Sequence, residues 1–318
     1  FSDSITGRNR HIFETATDSI CAILLHHWKS IDKNEFSVWF PLHFCDQTIF
    51  RIKNILSNYG SIPKFQFYNT EFELAGQSFL KDDAVLWVHF NRFIPIPTEL
   101  GDSFKKHNVF VIEDFVLAPF DIYKLTGDAA FNSLRKLSPL NVSVTYSSIS
   151  FPFFEYSPFY SDERRIGAWK KSVFHIIPNE ELEKEFLNRF HKAEQLLELR
   201  TAIYNPSKED EYLFESVDWN RVLTERKNNY TVLFGLLSKF QSKIIPGEYQ
   251  FLMLKLNNRD KIRKLLFSND VFLPIHWVDS PSALSDLQLS IPVDQRYTIS
   301  DMKELGDLLI KILEAHES

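Results

Sequence analysis

Glycine is scarce in this 318-residue chain. It occurs 9 times, less than half of the roughly 7% of average usage. Loops that bring backbone close against a phosphate or a cofactor ring commonly depend on glycine, so any such loop here is built from other residues. Cysteine is scarcer still: Cys21 and Cys45 are the only two. That excludes a disulfide scaffold and a four-cysteine zinc site, and it fits a reducing, cytoplasmic setting. The clusters His43–Cys45 and His26–His27 lack a matching second pair, so packing explains them and no metal is expected. No long basic run occurs and the net charge is −6, so nucleic acid is not an expected partner. No apolar segment approaches the ~20 residues of a membrane helix, and the N-terminus lacks a signal-peptide pattern.

What is present points to a globular protein. Phenylalanine occurs 30 times, hydrophobic residues make up 44% and charged ones 25%, ordinary proportions for a folded chain. The length suits two domains. No internal repeat or low-complexity tract appears.

Thr15–Trp28, "TATDSICAILLHHW", opens on cap-type residues and runs into Ile20, Ile23, Leu24, His27 and Trp28. That spacing predicts a helix capped at Thr17 or a neighbour. Phe36–Leu42, Ala84–Phe90 and Asn108–Asp114 are continuous apolar runs bounded by polar residues, the pattern of strands buried on both faces of a parallel sheet. Cys45–Gly60 and Thr98–His107 are helical candidates between them, giving an α/β domain. Ser150–Tyr160 is aromatic and broken by proline, a loop with anchors at a candidate subunit contact or in the core. Leu182, Phe186, Phe190, Ala193 and Leu197 then mark a long amphipathic helix. A further helical stretch spans roughly 207–240. After it come a strand at Gln250–Leu256, a helix at 259–267, a strand at Val271–Trp277 and a closing helix from about Ser300. The expected organisation is a large three-layer α/β domain over 1–200 with a mostly parallel sheet, and a smaller C-terminal α/β domain over 201–318. On apolar strands, His89, His276 and Trp277 are expected to be core residues.

In α/β sheets, ligands bind beyond the carboxyl ends of the strands. Three features fall at such ends or at a helix start. The "TATDSI" start offers free amides and the hydroxyls of Thr15 and Thr17, suited to a phosphate and equally to a plain N-cap. Asp114 ends a strand, where a carboxylate meets either a ligand or a turn. Ser133 and Lys136 follow in "GDAAFNSLRK". A desolvated lysine at a ligand site is an amine nucleophile, whereas an exposed one is a surface charge.

In that order, the motifs resemble the DegT/DnrJ/EryC1/StrS sugar aminotransferase family of fold-type-I, pyridoxal phosphate (PLP)-dependent enzymes. Its helix-opening SGT-x-AL motif is similar to "TATDSI", with Thr15, Ala16 and Thr17 in the phosphate-binding places. Its V-x-x-P-x-aromatic segment resembles "VWFPLHF", whose Phe44 would lie near the face of the cofactor ring. Its VIEDxA strand end is similar to "VIEDFVLA", which sets Asp114 against the pyridine nitrogen. Its GD…FS…K segment is similar to "GDAAFNSLRK", making Ser133 a phosphate ligand and Lys136 the Schiff-base lysine. The closing segment from His276 to Met302, with Arg296 and Tyr297, is similar as well.

The resemblance implies a PLP-dependent aminotransferase acting on a keto-sugar, nucleotide-linked, with an amino acid as donor. It also implies a homodimer with sites at the subunit interface. The chain departs from the family in four places. "LSPLNVSV" follows the lysine without the family's glycines, Ala16 replaces a helix-start glycine, Leu117 replaces the residue that bonds the cofactor's phenolic oxygen, and the interval from Ser133 to Lys136 is shorter than the family's common spacing. These departures are what a non-catalytic homologue keeping the fold and dimer would show. A PLP-dependent sugar dehydratase is the third reading, since the cofactor supplies chemistry common to both reactions.

Overall fold

The computed structural model describes residues 4–5, 7–31, 35–61, 63–69, 71–120, 122–157, 159–277 and 280–316. Strands β1 (Ser4–Ile5) and β2 (Arg8–Phe13) lead into helix α1 (Ala16–Ser30), followed by β3 (Ser37–Pro41), α2 (Asp46–Asn58) and β4 (Lys64–Tyr68). Then come α3 (Glu71–Ala75), β5 (Ala84–Val88), α4 (Thr98–His107), β6 (Phe110–Asp114), β7 (Ala129–Phe131) and β8 (Ser143–Ser147). These eight strands form one sheet in the order β1-β2-β8-β7-β6-β5-β3-β4. From β7 to β4 every pairing is parallel. β8 runs antiparallel to both β7 and β2, and β1 antiparallel to β2.

Strand alternation explains why the central runs had to be apolar throughout. Val38, Phe40, Ala84, Leu86 and Ile112 face α1 and α2 in a core with Ile20, Ile23, Leu24 and Ile52. The intervening Trp39, Val85, Trp87 and Val111 pack instead with Leu100 and Phe104 of α4. Side chains that alternate between two covered faces leave no polar face. The three-layer, mostly parallel arrangement expected of this region is the one observed.

A helical hairpin follows, α5 (Tyr160–Ile176) and α6 (Glu180–Glu198), with Phe174 and Phe186 in edge contact at 5.4 Å. Helices α7 (Lys208–Ser216) and α8 (Trp219–Leu236) lead to a second sheet of β9 (Ile244–Ile245), β10 (Phe251–Lys255) and β11 (Gln288–Pro292). It is antiparallel, in the order β11-β10-β9. Between its strands lie α9 (Arg259–Phe267) and α10 (Leu284–Leu287), and α11 (Ile299–His316) ends the described chain. Leu252, Leu254, Leu289 and Ile291 form a core with Leu233, Ile262, Leu266, Met302 and Leu309. No helix among the described residues is long and apolar enough to cross a membrane.

Several expectations are corrected. The run Val271–Trp277 is not a strand but an extended loop. Pro274 has no amide to donate, and Trp277 turns the chain at a φ of 57°; β11 pairs with β10 in its place. The helical stretch 207–240 is broken at Val217–Asp218, where Asp218 caps α8 by accepting from the Arg221 amide. The cap of α1 is Thr15 rather than Thr17. In the aromatic segment, Phe151 and Phe154 pack on Phe13, while Phe153 and Phe159 are exposed. Val278 and Asp279, within the similar closing segment, lie outside the described residues.

Strand β8 and helix α5 lack the expected signal. All five residues of β8, "SVTYS", are buried, and its polar side chains find partners across the fold. Ser19 donates to Ser143 at 2.7 Å, and Thr145 donates to Ser19 at 2.9 Å. In α5 only Tyr160, Ser161, Glu163 and Gly167 are buried, too few to write an apolar stripe.

Candidate functional site

The start of α1, the carboxyl end of β6 and the turn after β7 converge on a cavity of about 290 Å³. It falls just short of the ~300–1,000 Å³ of typical ligand pockets. All seven residues singled out from sequence line it: Thr15, Ala16, Thr17, Phe44, Asp114, Ser133 and Lys136. They come from four separate segments, brought together because parallel strands deliver their ends to one edge of the sheet.

At the helix start, Thr15 and Asp18 form a reciprocal capping box. The Thr15 amide and hydroxyl donate to Asp18 at 3.0 and 2.6 Å, and the Asp18 amide donates back to the Thr15 hydroxyl at 3.2 Å. Arg200 donates to Asp18 at 2.6 Å and also to Glu14, and the Tyr204 amide donates to Asp18 at 3.1 Å. Burial raises both carboxyls and Arg200 opposes the rise; Glu14 reaches about 7. Thr15 is therefore occupied within the protein. The hydroxyls of Thr17 and Ser133 have no hydrogen-bond partner among the described residues, and Thr17 sits at the positive end of the helix.

Asp114 is 3% exposed and accepts one hydrogen bond, from the Val116 amide at 2.7 Å. Burial lifts its carboxyl to about 7, against the pull of that amide and of Lys136. Lys136 lies in a single 3₁₀ turn, Leu134–Lys136. Its Nζ has no ion-pair or hydrogen-bond partner among the described residues. Lys136 is exposed where it opens into the cavity, while the protein packed around it and the adjacent Arg135 charge lower the amine to about 8. Such an amine is half in its neutral, nucleophilic form at about pH 8, where an ordinary lysine is almost wholly charged.

The remaining walls hold residues that sequence reasoning treated differently or passed over. Phe44 is buried and stands 5.5 Å from Phe40 and 5.9 Å from Trp277. His276 and Trp277, expected in the core, line the cavity. His276 is held by a closed buried ring of hydrogen bonds. Its amide donates to Gln288 Oε1 at 3.1 Å, Gln288 Nε2 donates to Ser290 Oγ, and Ser290 Oγ lies 2.7 Å from His276 Nδ1. The direction of the bond between Ser290 Oγ and His276 Nδ1 follows the tautomer, since a hydroxyl that accepts from Gln288 can still either donate or accept once more. Burial pushes this histidine down to about 3, so the ring is neutral. His89 is indeed a core residue, paired with Glu113 at 3.0 Å. Leu117 lines the cavity from an apolar cluster with Phe251 and Met253.

Glu194 of α6 gathers three guanidiniums, Arg135 at 3.3 Å, Arg51 at 3.5 Å and Arg164 at 3.6 Å. Only the basic Arg135-Lys136 pair hinted at this network in the sequence, because its members come from four separate segments.

No family model and no curated protein matches the chain. Solved structures do. One is DesI in the presence of its TDP-sugar product, with TM-score 0.62 and 14% identity over 98% of this chain and 82% of that one. Another is an aminotransferase from Psychrobacter cryohalolentis, with TM-score 0.62 and 13% identity over 98% and 88%. A third is a DegT DnrJ EryC1 StrS aminotransferase from Brucella abortus, with TM-score 0.58 and 12% identity over 95% and 85%. The chain has the fold of these aminotransferases, the fold type I that its motifs imply.

Proposed function

We propose that this cavity holds PLP on Lys136 and that the chain transfers an amino group from an amino acid to a keto-sugar, nucleotide-linked. The observation that carries the reading is the convergence of Lys136, an unpaired amine lowered to about 8, with the buried Asp114 in one cavity. The residues present fit the cofactor. Asp114 is a buried carboxyl in contact with no cation, and a protonated pyridine nitrogen is the group it lacks. The unpartnered hydroxyls of Thr17 and Ser133, with the free amides of the helix start, suit a phosphate. Phe44 offers an apolar wall for a ring, while Leu117 offers the phenolic oxygen no hydrogen bond.

When bound, PLP supplies an electron sink for the reacting substrate carbon. Asp114 would hold the ring nitrogen in its protonated form. Lys136 would hold the cofactor through its Nζ, and its free amine would serve as the general base that moves a proton. Thr15 acts through Asp18 to hold the helix start in place, with Ala16 beside it in the phosphate-binding turn.

The test is to load the purified full chain with PLP, reduce with borohydride and map the modified peptide. A yellow protein with a pyridoxyl group on Lys136, lost in Lys136→Ala, supports the reading. Absence of both a visible band and any labelled lysine overturns it. That outcome would favour a homologue keeping the fold without the cofactor, the reading to which the apolar setting of Leu117 lends support.

The same proposal carries a homodimer, for which exposed Phe153, Phe159 and Trp169 are candidate contacts. It also carries a division of the chain into 1–200 and 201–318, and a cytoplasmic location.

A further inference from the structure

Glu14, the residue before the Thr15 cap of α1, lies on the wall of the candidate cavity and is 1% exposed. Arg200, just after α6, donates both to Glu14 and to Asp18, the latter at 2.6 Å. Among the described residues, neither carboxyl has another ion-pair partner. The rings beside the guanidinium, Tyr160 at 5.0 Å and Tyr204 at 4.9 Å, bring no second cation. Two buried carboxyls therefore share one buried positive charge.

An excess negative charge buried in this way is costly, and the hydrogen bonds decide which carboxyl gives it up. Asp18 accepts from the Thr15 amide at 3.0 Å, the Thr15 hydroxyl at 2.6 Å, the Tyr204 amide at 3.1 Å and Arg200. Glu14 accepts only from Ser161 of α5 and from Arg200 among the described residues. The carboxylate with more donors holds its charge better. The proton belongs on Glu14, in keeping with the burial that lifts its carboxyl to about 7.

That charge bears on what the start of α1 can bind. Thr17, 6% exposed, lines the cavity with a hydroxyl that has no partner among the described residues. It stands beside the free amides at the positive end of a 15-residue helix. This is a seat for an anion, and Glu14 is three residues away along the chain. With Glu14 ionised, two carboxylates and one guanidinium leave a net −1 beside the seat; with Glu14 protonated, they leave none. The Cys21 thiol of α1, pushed well above its ordinary value by burial, stays neutral. Asp114, Lys136 and the Glu194 group of Arg51 and Arg135 also line the cavity, but none is bonded to Glu14 among the described residues.

We propose that an anion at the start of α1 is taken up together with a proton from solvent, which lodges on the Glu14 carboxylate. Glu14 is then a positioning residue: it touches no ligand, and its charge sets how readily the neighbouring seat accepts one. That the anion is a cofactor's phosphate rests on the function proposed above; the coupled proton does not.

Calorimetry on the full chain with sulfate tests it, because sulfate stays doubly charged across the pH range of interest. Heats in two buffers of different ionisation enthalpy should show net proton uptake as sulfate binds. Affinity should fall as pH climbs past about 7, by up to about tenfold per unit. Glu14→Gln, neutral at every pH, should match the low-pH affinity of the wild type and lose most of that slope. Any slope left belongs to Asp114 and Lys136, which titrate nearby; Asp114→Asn should keep the proton uptake. Thr17→Val should weaken sulfate about tenfold, the loss of one charge-assisted hydrogen bond, which puts the anion at the helix start. If Glu14→Gln does not fold, infrared difference spectra of Asp114→Asn decide. Adding sulfate should raise a protonated-carboxyl band as carboxylate absorption falls. The proposal is overturned if that band does not grow, or if wild type and Glu14→Gln share one pH slope. It is also overturned if Thr17→Val binds like wild type or if sulfate does not bind. Proton-coupled sulfate binding by protein that never labels with PLP keeps this proposal and removes the enzyme reading. Protein that labels at Lys136 but binds sulfate without proton uptake does the reverse.

Discussion

Asp114 and Lys136 wall one cavity from the ends of neighbouring segments, and the lysine's charge pulls down a carboxyl that burial has raised to about 7. Neither group has an ion-pair partner among the described residues. A buried acid and an unpaired amine held in one cavity form a polarised pair, ready for a ligand with a cationic ring nitrogen and an electrophilic carbon.

Asp114→Asn tests the acid. The amide preserves shape and the bond from the Val116 amide, but it cannot hold a ring nitrogen protonated. The chain should still label with PLP at Lys136. Its turnover of an amino-acid donor, followed by stopped-flow absorbance, should fall on the order of 10²-fold, as when one preorganised electrostatic partner is lost. Unchanged turnover would remove Asp114 from the chemistry.

The amine is tested by pH. Lys136 is lowered from 10.5 to about 8, chiefly by burial. Its reactive neutral form should grow about tenfold per pH unit below that point and level off above it. The rate of PLP attachment to the free chain should follow this curve. A rate that keeps climbing well past the plateau would mark Lys136 as an ordinary solvated lysine.

Glu14 makes the fold itself sensitive to pH. Its carboxyl rises from 4.5 to about 7, chiefly through burial, with Arg200 opposing. The folded chain thus keeps this proton over a window in which the unfolded chain has lost it. Stability therefore falls as pH climbs through the interval from about 4.5 to about 7. Glu14→Gln should flatten that part of the Tm–pH curve, whatever its effect on the baseline. Parallel curves for variant and wild type would show that Glu14 titrates normally.

Gly127 precedes β7 at a point of close approach. A Cβ there would lie 2.8 Å from the Val111 carbonyl oxygen and 3.1 Å from Glu113 Cγ, while the Gly127 amide donates to Glu113. Gly127→Ala should cost ~1–3 kcal/mol by overpacking, read as a lower midpoint in urea unfolding. An unchanged midpoint would mean that β6 and β7 can part without cost.

Much of the large sheet was legible because burial on both faces forces continuous apolar runs, as in β3, β5 and β6. The elements missed were those whose signal is not written locally. Strand β8 buries serine and threonine only because Ser19, far away in sequence, bonds to both Ser143 and Thr145. The run Val271–Trp277 carries strand-like residues, but Pro274 and the turn at Trp277 give the ladder to β11.

The candidate site divides along the same line. By itself the sequence determined the alternation of helix and strand, and with it the placing of Asp114 at a strand end and of Ser133 and Lys136 in the loop that follows, because composition and order carry that information along the chain. Tertiary structure alone decided that the Lys136 amine is lowered, that the buried His276 lines the same cavity, and that Arg226 is buried with no carboxylate within ion-pair distance among the described residues. Each of these depends on which distant residues come close, and desolvation and pairing are properties of that surrounding volume.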